Sequence, residues 1–132
     1  VYIFLIALED KGQSGKAIGC DDSAVPVQVT IPQTSGVLRV ALETLLSIKE
    51  PYYGQSGLYN ALHQSDLQLQ DVTIESGRAV IHLTGTLMIG GVCDNPRIKA
   101  QLEETALQFS TVNTVSIFVN DVPLEDLLSQ EG

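Results

Sequence analysis

Hydrophobic and polar residues alternate, cluster and change period along this chain, and each change predicts an element. Val1 to Leu8, "VYIFLIAL", is an unbroken apolar run rich in β-branched and aromatic side chains, the composition of a strand buried on both faces. A polar connector punctuated by glycine follows, "EDKGQSGKAIGCDDS", Glu9 to Ser23. In "VPVQVTI", Val25, Val27, Val29 and Ile31 fall on one face and Pro26, Gln28 and Thr30 on the other. That alternation predicts a half-buried strand, and Pro26, which has no N–H to donate, places it at a sheet edge.

The period then changes. Leu38, Ala41, Leu42, Leu45 and Leu46 recur at helical spacing, with Arg39 and Glu43 on the solvent side. Thr34 and Ser35 are the candidate N-caps, and Pro51 closes the segment. The stretch from Pro51 to Asp66 is long for a simple connector, and loops of that length carry structure or function of their own. Beyond it Leu67, Leu69, Val72 and Ile74 are the inward side chains of a strand whose parity slips between Leu69 and Val72, the mark of a β-bulge. Glu75 to Gly77 reads as a turn, and Ala79, Ile81 and Leu83 alternate on the return strand.

A second helix is predicted from "CDNPRIKAQLEETALQF". Asp94 or Asn95 is its N-cap, and Pro96 takes the first helical position, where its missing N–H costs nothing. Ile98, Leu102, Thr105, Ala106 and Phe109 make one stripe, with Arg97, Lys99, Gln101, Glu103, Glu104 and Gln108 on the other side. "TVSIFVND" alternates as the last full strand, Asn120-Asp121 is a turn, and "VPLEDLLSQEG" is a short tail. The order β-β-α-β-β-α-β, over one domain spanning 1–132, predicts an α+β two-layer sandwich with two helices packed on one face of a small mixed β-sheet.

Composition narrows the partners. With 132 residues, 44% hydrophobic and 17% charged, the chain can fill a core and is not of the disordered class. A formal net charge of −9 repels phosphate backbones, which excludes nucleic acid and direct attachment to anionic membrane surfaces. No apolar run approaches the roughly 18 residues of a membrane span. "VYIFLIAL" lacks the basic residues that precede a signal sequence, and an opening valine is expected of a mature fragment whose targeting segment has been removed.

The candidate chemistry is sparse. Cys20 and Cys93 fit no metal-binding spacing; they are compatible with one disulfide and equally with two unrelated buried thiols. Cys93 precedes a helix start, which favours a thiolate, but Asp94 beside it and Asp21 and Asp22 beside Cys20 oppose one. His63 lies near Ser65 and Asp66, yet residues this close in sequence do not form a catalytic triad, and neither G-x-S-x-G nor H-E-x-x-H occurs. His82 falls on the outward face beside Val80. Tyr52, Tyr53 and Tyr59 share the long loop, where they serve an interface or pack beside the first helix.

The succession "VPVQVTIP", "ALETLLS", "GLYNAL", "DVTIESGRAVIHLTG", a long helix and "VSIFVND" resembles the GerMN domain of sporulation and spore-germination proteins, which also occurs in bacterial envelope lipoproteins. The resemblance covers roughly Val1 to Leu124 and rests on short structural motifs. It implies an exported, membrane-tethered domain, anchored through a segment outside this chain, with a fold similar to the ring-building motifs that act by protein–protein assembly. It transfers no catalytic residue, and no cofactor is expected. "IGCDDSAVPV" and "GGVCDNPR" look like a cysteine-bearing branch of the family.

Export favours a Cys20–Cys93 bridge, which would close a loop of roughly 74 residues and contribute about 4 kcal/mol in the chain-entropy picture. The bridge would pin the Glu9–Ser23 connector to the second helix and gather Asp21, Asp22 and Asp94. Those oxygens could meet Ca²⁺, but they match no EF-hand loop and read as a solvated acidic rim, so no metal is expected. The expected partner is an envelope protein or a second copy of the chain, touching Tyr52, Tyr53 and the outward side of the second helix. Leu58 and Tyr59, inside the "GLYNAL" segment, are expected to pack instead. The alternatives are a small cell-wall-derived ligand held under the Pro51–Asp66 loop and, more distantly, a thiol enzyme using Cys93.

Overall fold

The computed structural model describes residues 1–129, and the end of the expected tail lies outside them. The strands are β1 (Tyr2–Ala7), β2 (Lys16–Ile18), β3 (Asp22–Gln28), β4 (Asp66–Glu75), β5 (Arg78–Thr86), β6 (Thr114–Val119) and β7 (Val122–Pro123). The helices are α1 (Val37–Ser47), α2 (Asp94–Leu107) and α3 (Leu124–Ser129), with a 3-10 turn at Gly19–Asp21. The α+β class is as the pattern implies, with one difference in layout. The strands divide into a three-stranded sheet, β1-β3-β2, and a four-stranded sheet, β4-β5-β6-β7, instead of forming one.

The second sheet is mixed: β5 and β6 run parallel, and every other pairing is antiparallel. Helix α1 packs on β1 and β4, α2 packs on β1, β3 and β6, and the two helices touch each other. The helices therefore bridge the sheets, and a single core runs between them. Ile3 and Leu5 from β1 meet Leu42, Leu45, Leu67, Ile81, Leu83, Ile98 and Leu102 there.

Most of the apolar pattern finds its place. Leu38, Ala41, Leu42, Leu45 and Leu46 are the buried face of α1, and Ala79, Ile81 and Leu83 that of β5. The register slips between Leu69 and Asp71, where the parity change put a bulge. Ser76 and Gly77, both at positive φ (51° and 83°), form a two-residue turn between the paired Glu75 and Arg78. A turn with two positive φ values matches the twist of a hairpin, and glycine takes the second at no steric cost. Asn120 and Asp121 do the same between β6 and β7.

Other expectations shift. Strand β3 starts at Asp22, inside the stretch expected to be connector, and lies between β1 and β2. The strand is therefore not at a sheet edge as expected; Pro26 is tolerated in it because β2 pairs only with Asp22 to Ala24, which leaves Pro26 facing β1 alone. Ile74 is exposed although it was expected to point inward. Neither Thr34 nor Ser35 caps α1; its N-cap is Gly36. Helix α2 begins at Asp94 after Cys93, so Pro96 is not its first residue and neither Asp94 nor Asn95 is its cap. The segment read as a tail supplies β7 and α3, whose Leu124 and Leu128 join the core.

Candidate functional site

The polar residues that could carry chemistry gather at the start of α2, and local structure explains why. Cys20 and Cys93 are joined, with Cα atoms 5.9 Å apart. Cys20 and Asp21 both hold left-handed backbone, φ 61° and 60°. That conformation is disfavoured for residues with a Cβ, so the turn carrying Cys20 is shaped by what holds it. The bridge places the turn against α2, with Gly19 facing Pro96.

Two buried carboxylates flank the bridge. Asp22 is wholly buried and Asp94 is 5% exposed. Arg97 lies between them: Nε donates to Asp22 Oδ2 at 2.6 Å and Nη1 to Asp94 Oδ1 at 3.0 Å. Asp22 Oδ1 also accepts the N–H of Glu9, and Asp94 Oδ2 that of Gly90. The Tyr59 hydroxyl donates to Asp94 at 3.3 Å, and the Arg97 guanidinium sits 5.4 Å from the Tyr59 ring centroid. Burial pulls the Arg97 pKa down, but hydrogen bonds to Asp22 and Asp94 and their charges outweigh it and raise it further above its ordinary value. Burial, then the charge of Asp94, pushes the Tyr59 hydroxyl up, so it stays a donor.

The expected acidic rim is thereby corrected. Asp22 and Asp94 do converge, but they are buried, and the place where a cation would sit between them is taken by a guanidinium. Asp21 stays exposed outside the pair. Among the described residues no three His, Cys, Asp or Glu side chains are placed to hold a metal ion. Cys93 carries no free thiol, so it has no nucleophile to offer while the bridge is closed.

The remaining candidates also have intramolecular partners. His82 stacks on Phe118, with centroids 5.0 Å apart and planes at 14°, and His63 meets the Tyr59 ring edge-on. Ser65 Oγ accepts the N–H of Met88 at 2.9 Å, a structural bond that ties the long loop to the strand exit after β5. The loop folds back on β1: Tyr59 and Ile6 exchange N–H···O bonds of 2.7 and 2.9 Å. Asn60, Ala61 and Leu62 of that loop are buried. Tyr52 is half-exposed and lies against Tyr59, whereas Tyr53 is partly buried against the core.

Two residues of α2 assigned to its solvent side are internal. Gln101 is wholly buried; its Oε1 accepts the N–H of Ala61 and its amide donates to Asn60 Oδ1. Arg97 keeps a side-chain exposure of only 17%. Spacing carried the signal in both cases. Gln101 stands three residues after Ile98 and four before Thr105, within the buried stripe, and Arg97 stands three after Asp94. Farther along the outward side, Lys16 of β2 reaches Glu104 at 2.7 Å and Lys99 reaches Glu125 of α3 at 3.6 Å. That face of the helix is therefore shared with neighbouring elements.

Comparison with known proteins agrees with this architecture. A family model described as Germane, sporulation and spore germination, matches residues 4–125. The first GerMN domain of the sporulation protein GerM from Bacillus subtilis superposes with a TM-score of 0.65 at 22% identity, covering 95% of this chain and 86% of that one. The tandem GerMN domains of the same protein give 0.66 at 16% identity, covering 92% of this chain and 39% of that one. A lipoprotein candidate from Clostridium perfringens gives 0.52 at 12% identity over 92% and 74%. No curated protein matches.

Proposed function

This chain belongs to the Germane family of sporulation and spore germination, and from that premise we propose that it is a non-enzymatic, extracytoplasmic module that assembles with another envelope protein or with copies of itself. The observation that carries the reading is the commitment of its reactive side chains to one another. The cysteines are crosslinked, Arg97 is ion-paired with both buried carboxylates, and both histidines are packed on aromatic rings. The disulfide favours an oxidising compartment, because such bonds persist there and are rare in cytosol. Tethering through a segment outside this chain is part of the same proposal.

The test is crosslinking in intact cells, followed by purification of the chain and identification of what it carries, with sedimentation of the pure protein in parallel. A defined envelope partner or a reversible oligomer is the expected result. A chain that stays monomeric and carries no partner at native abundance would sink the assembly reading.

A further inference from the structure

A sheet edge is a row of free N–H and C=O groups, and folded proteins cover or shorten such rows. The described residues form two sheets with four edges, and three are managed. Along β1 most of the outward groups are taken: Gln108 bonds both the N–H and the C=O of Tyr2, Thr105 Oγ1 accepts the N–H of Phe4, and Tyr59 pairs with Ile6. β2 and β7 have only three and two residues, and β7 ends in Pro123. The fourth, β4, has ten residues.

The outward groups of β4 follow from its hairpin. Glu75 and Arg78 close a two-residue turn, so they bond each other, and bonding alternates from there. Thr73 and Asp71 then face β5, while Val72 and Ile74 face away. Beyond the bulge the outward set is Leu69 and Leu67. Two contacts agree with this parity: Arg39 Nη2 donates to the Leu69 carbonyl at 3.3 Å, and Gly85, opposite Leu67, bonds Asn120 on the far side of β5. Among the described residues the Leu69 carbonyl is the one outward group of this edge with a partner.

Helix α1 runs beside the free edge and leaves two grooves. One, of about 430 Å³, lies between Glu43, Leu46 and Lys49 and the strand residues Asp66, Leu67 and Gln68. The other, of about 520 Å³ and mainly apolar, lies between Val37 and Leu38, the strand residues Val72 and Ile74, and Phe109. Arg39, bonded to Leu69 and paired with Glu43, stands between them. A strand edge beside a helix is how extended peptides are recognised by strand addition: the backbone supplies affinity, and alternate side chains supply specificity.

Charge selects the occupant. β4, "DLQLQDVTIE", carries Asp66, Asp71 and Glu75 and no basic residue, on a chain of net charge −9. Two copies paired edge to edge would set acidic side chains against acidic ones. We infer that the outer edge of β4 docks an extended segment of a partner protein, added as a further strand, whose side chains alternate between apolar and basic. The apolar set enters the groove beside Val72 and Ile74, and the basic set lies on the other face beside Asp71 and Glu75. This names a surface and a partner class for the assembly reading above, on which it rests.

The test is titration of the isotope-labelled chain with a short peptide alternating valine and lysine, beside one alternating valine and glutamate. Hydrogen exchange at the Val72 and Ile74 amides should slow with the lysine peptide alone. Val72→Pro removes an N–H that bonds nothing within the chain, and should weaken that peptide about tenfold or more while the fold persists. The double variant Asp71→Lys/Glu75→Lys, which leaves the backbone untouched, should reverse the preference between peptides even if the proline variant does not fold. Equal binding of both peptides, or unchanged exchange at Val72 and Ile74, would overturn the proposal. So would concentration-dependent protection of those amides without peptide, which would assign the edge to a second copy. An envelope partner crosslinked equally by the native chain and Val72→Pro would sink the groove and leave the assembly reading standing.

Discussion

Arg97 shows how much can hang on one side chain. It is the cation between two buried carboxylates, and removing it leaves both without their charge partner. Replacing Arg97 by Met should destabilise the fold by about 3 kcal/mol or more, read by denaturant unfolding at neutral pH. Asp10 gives a second handle, through pH. Its burial raises its pKa, but hydrogen bonds from Ser23, Ser14 and Gly12 together outweigh that and lower it from 3.8 to about 2. A carboxyl depressed in the folded state contributes stability that is present above its ordinary pKa and lost as pH falls through the folded one. Stability of the native chain relative to Asp10→Asn should therefore shrink between about pH 4 and pH 2, measured by parallel urea titrations. Neither role was legible from hydropathy, which sends every Arg and Asp to solvent. What hydropathy misses is that a backbone or a second charge can satisfy a buried one.

At the level of elements, the legible parts were those with a long, regular apolar period. The α1 stripe, the β5 alternation and the β4 bulge could be read because each repeats over several turns or pairs. β2 and β7 could not, since three and two residues are too few to show a period. α3 was hidden by its brevity, although Leu124 and Leu128 stand at helical spacing. The case of α2 is mixed: its apolar stripe was visible, while Gln101 within that stripe was assigned by its chemistry instead of its position. Replacing Gln101 by Ala strips the Ala61 N–H of its acceptor inside the core and should cost about 1–3 kcal/mol in thermal or chemical unfolding. The same change at the exposed Gln108 contacts should cost less, because water can replace what is lost.

For the molecule as a whole, the bridge between Cys20 and Cys93 spans 73 positions and ties the turn before β3 to the start of α2. Replacing both cysteines by Ser should lower stability by about 2–4 kcal/mol, and a reductant should lower the melting temperature of the native chain but not of the variant. Sequence suggested that pair only through a family likeness, because two cysteines so far apart carry no geometric information by themselves. The division into two sheets was likewise beyond a pattern read one segment at a time, since it depends on which strands find each other. The β1 edge adds a temporal consequence. Two of its covering groups, Thr105 and Gln108, stand 101 and 106 positions after the residues they serve. During synthesis, β1 can pair with β3 long before α2 exists, so the outer side of its Tyr2–Phe4 half waits bare until α2 has been made. Contacts so distant along the chain form slowly, and a ribosome that stalled before Thr105 would release an apolar strand still open to aggregation.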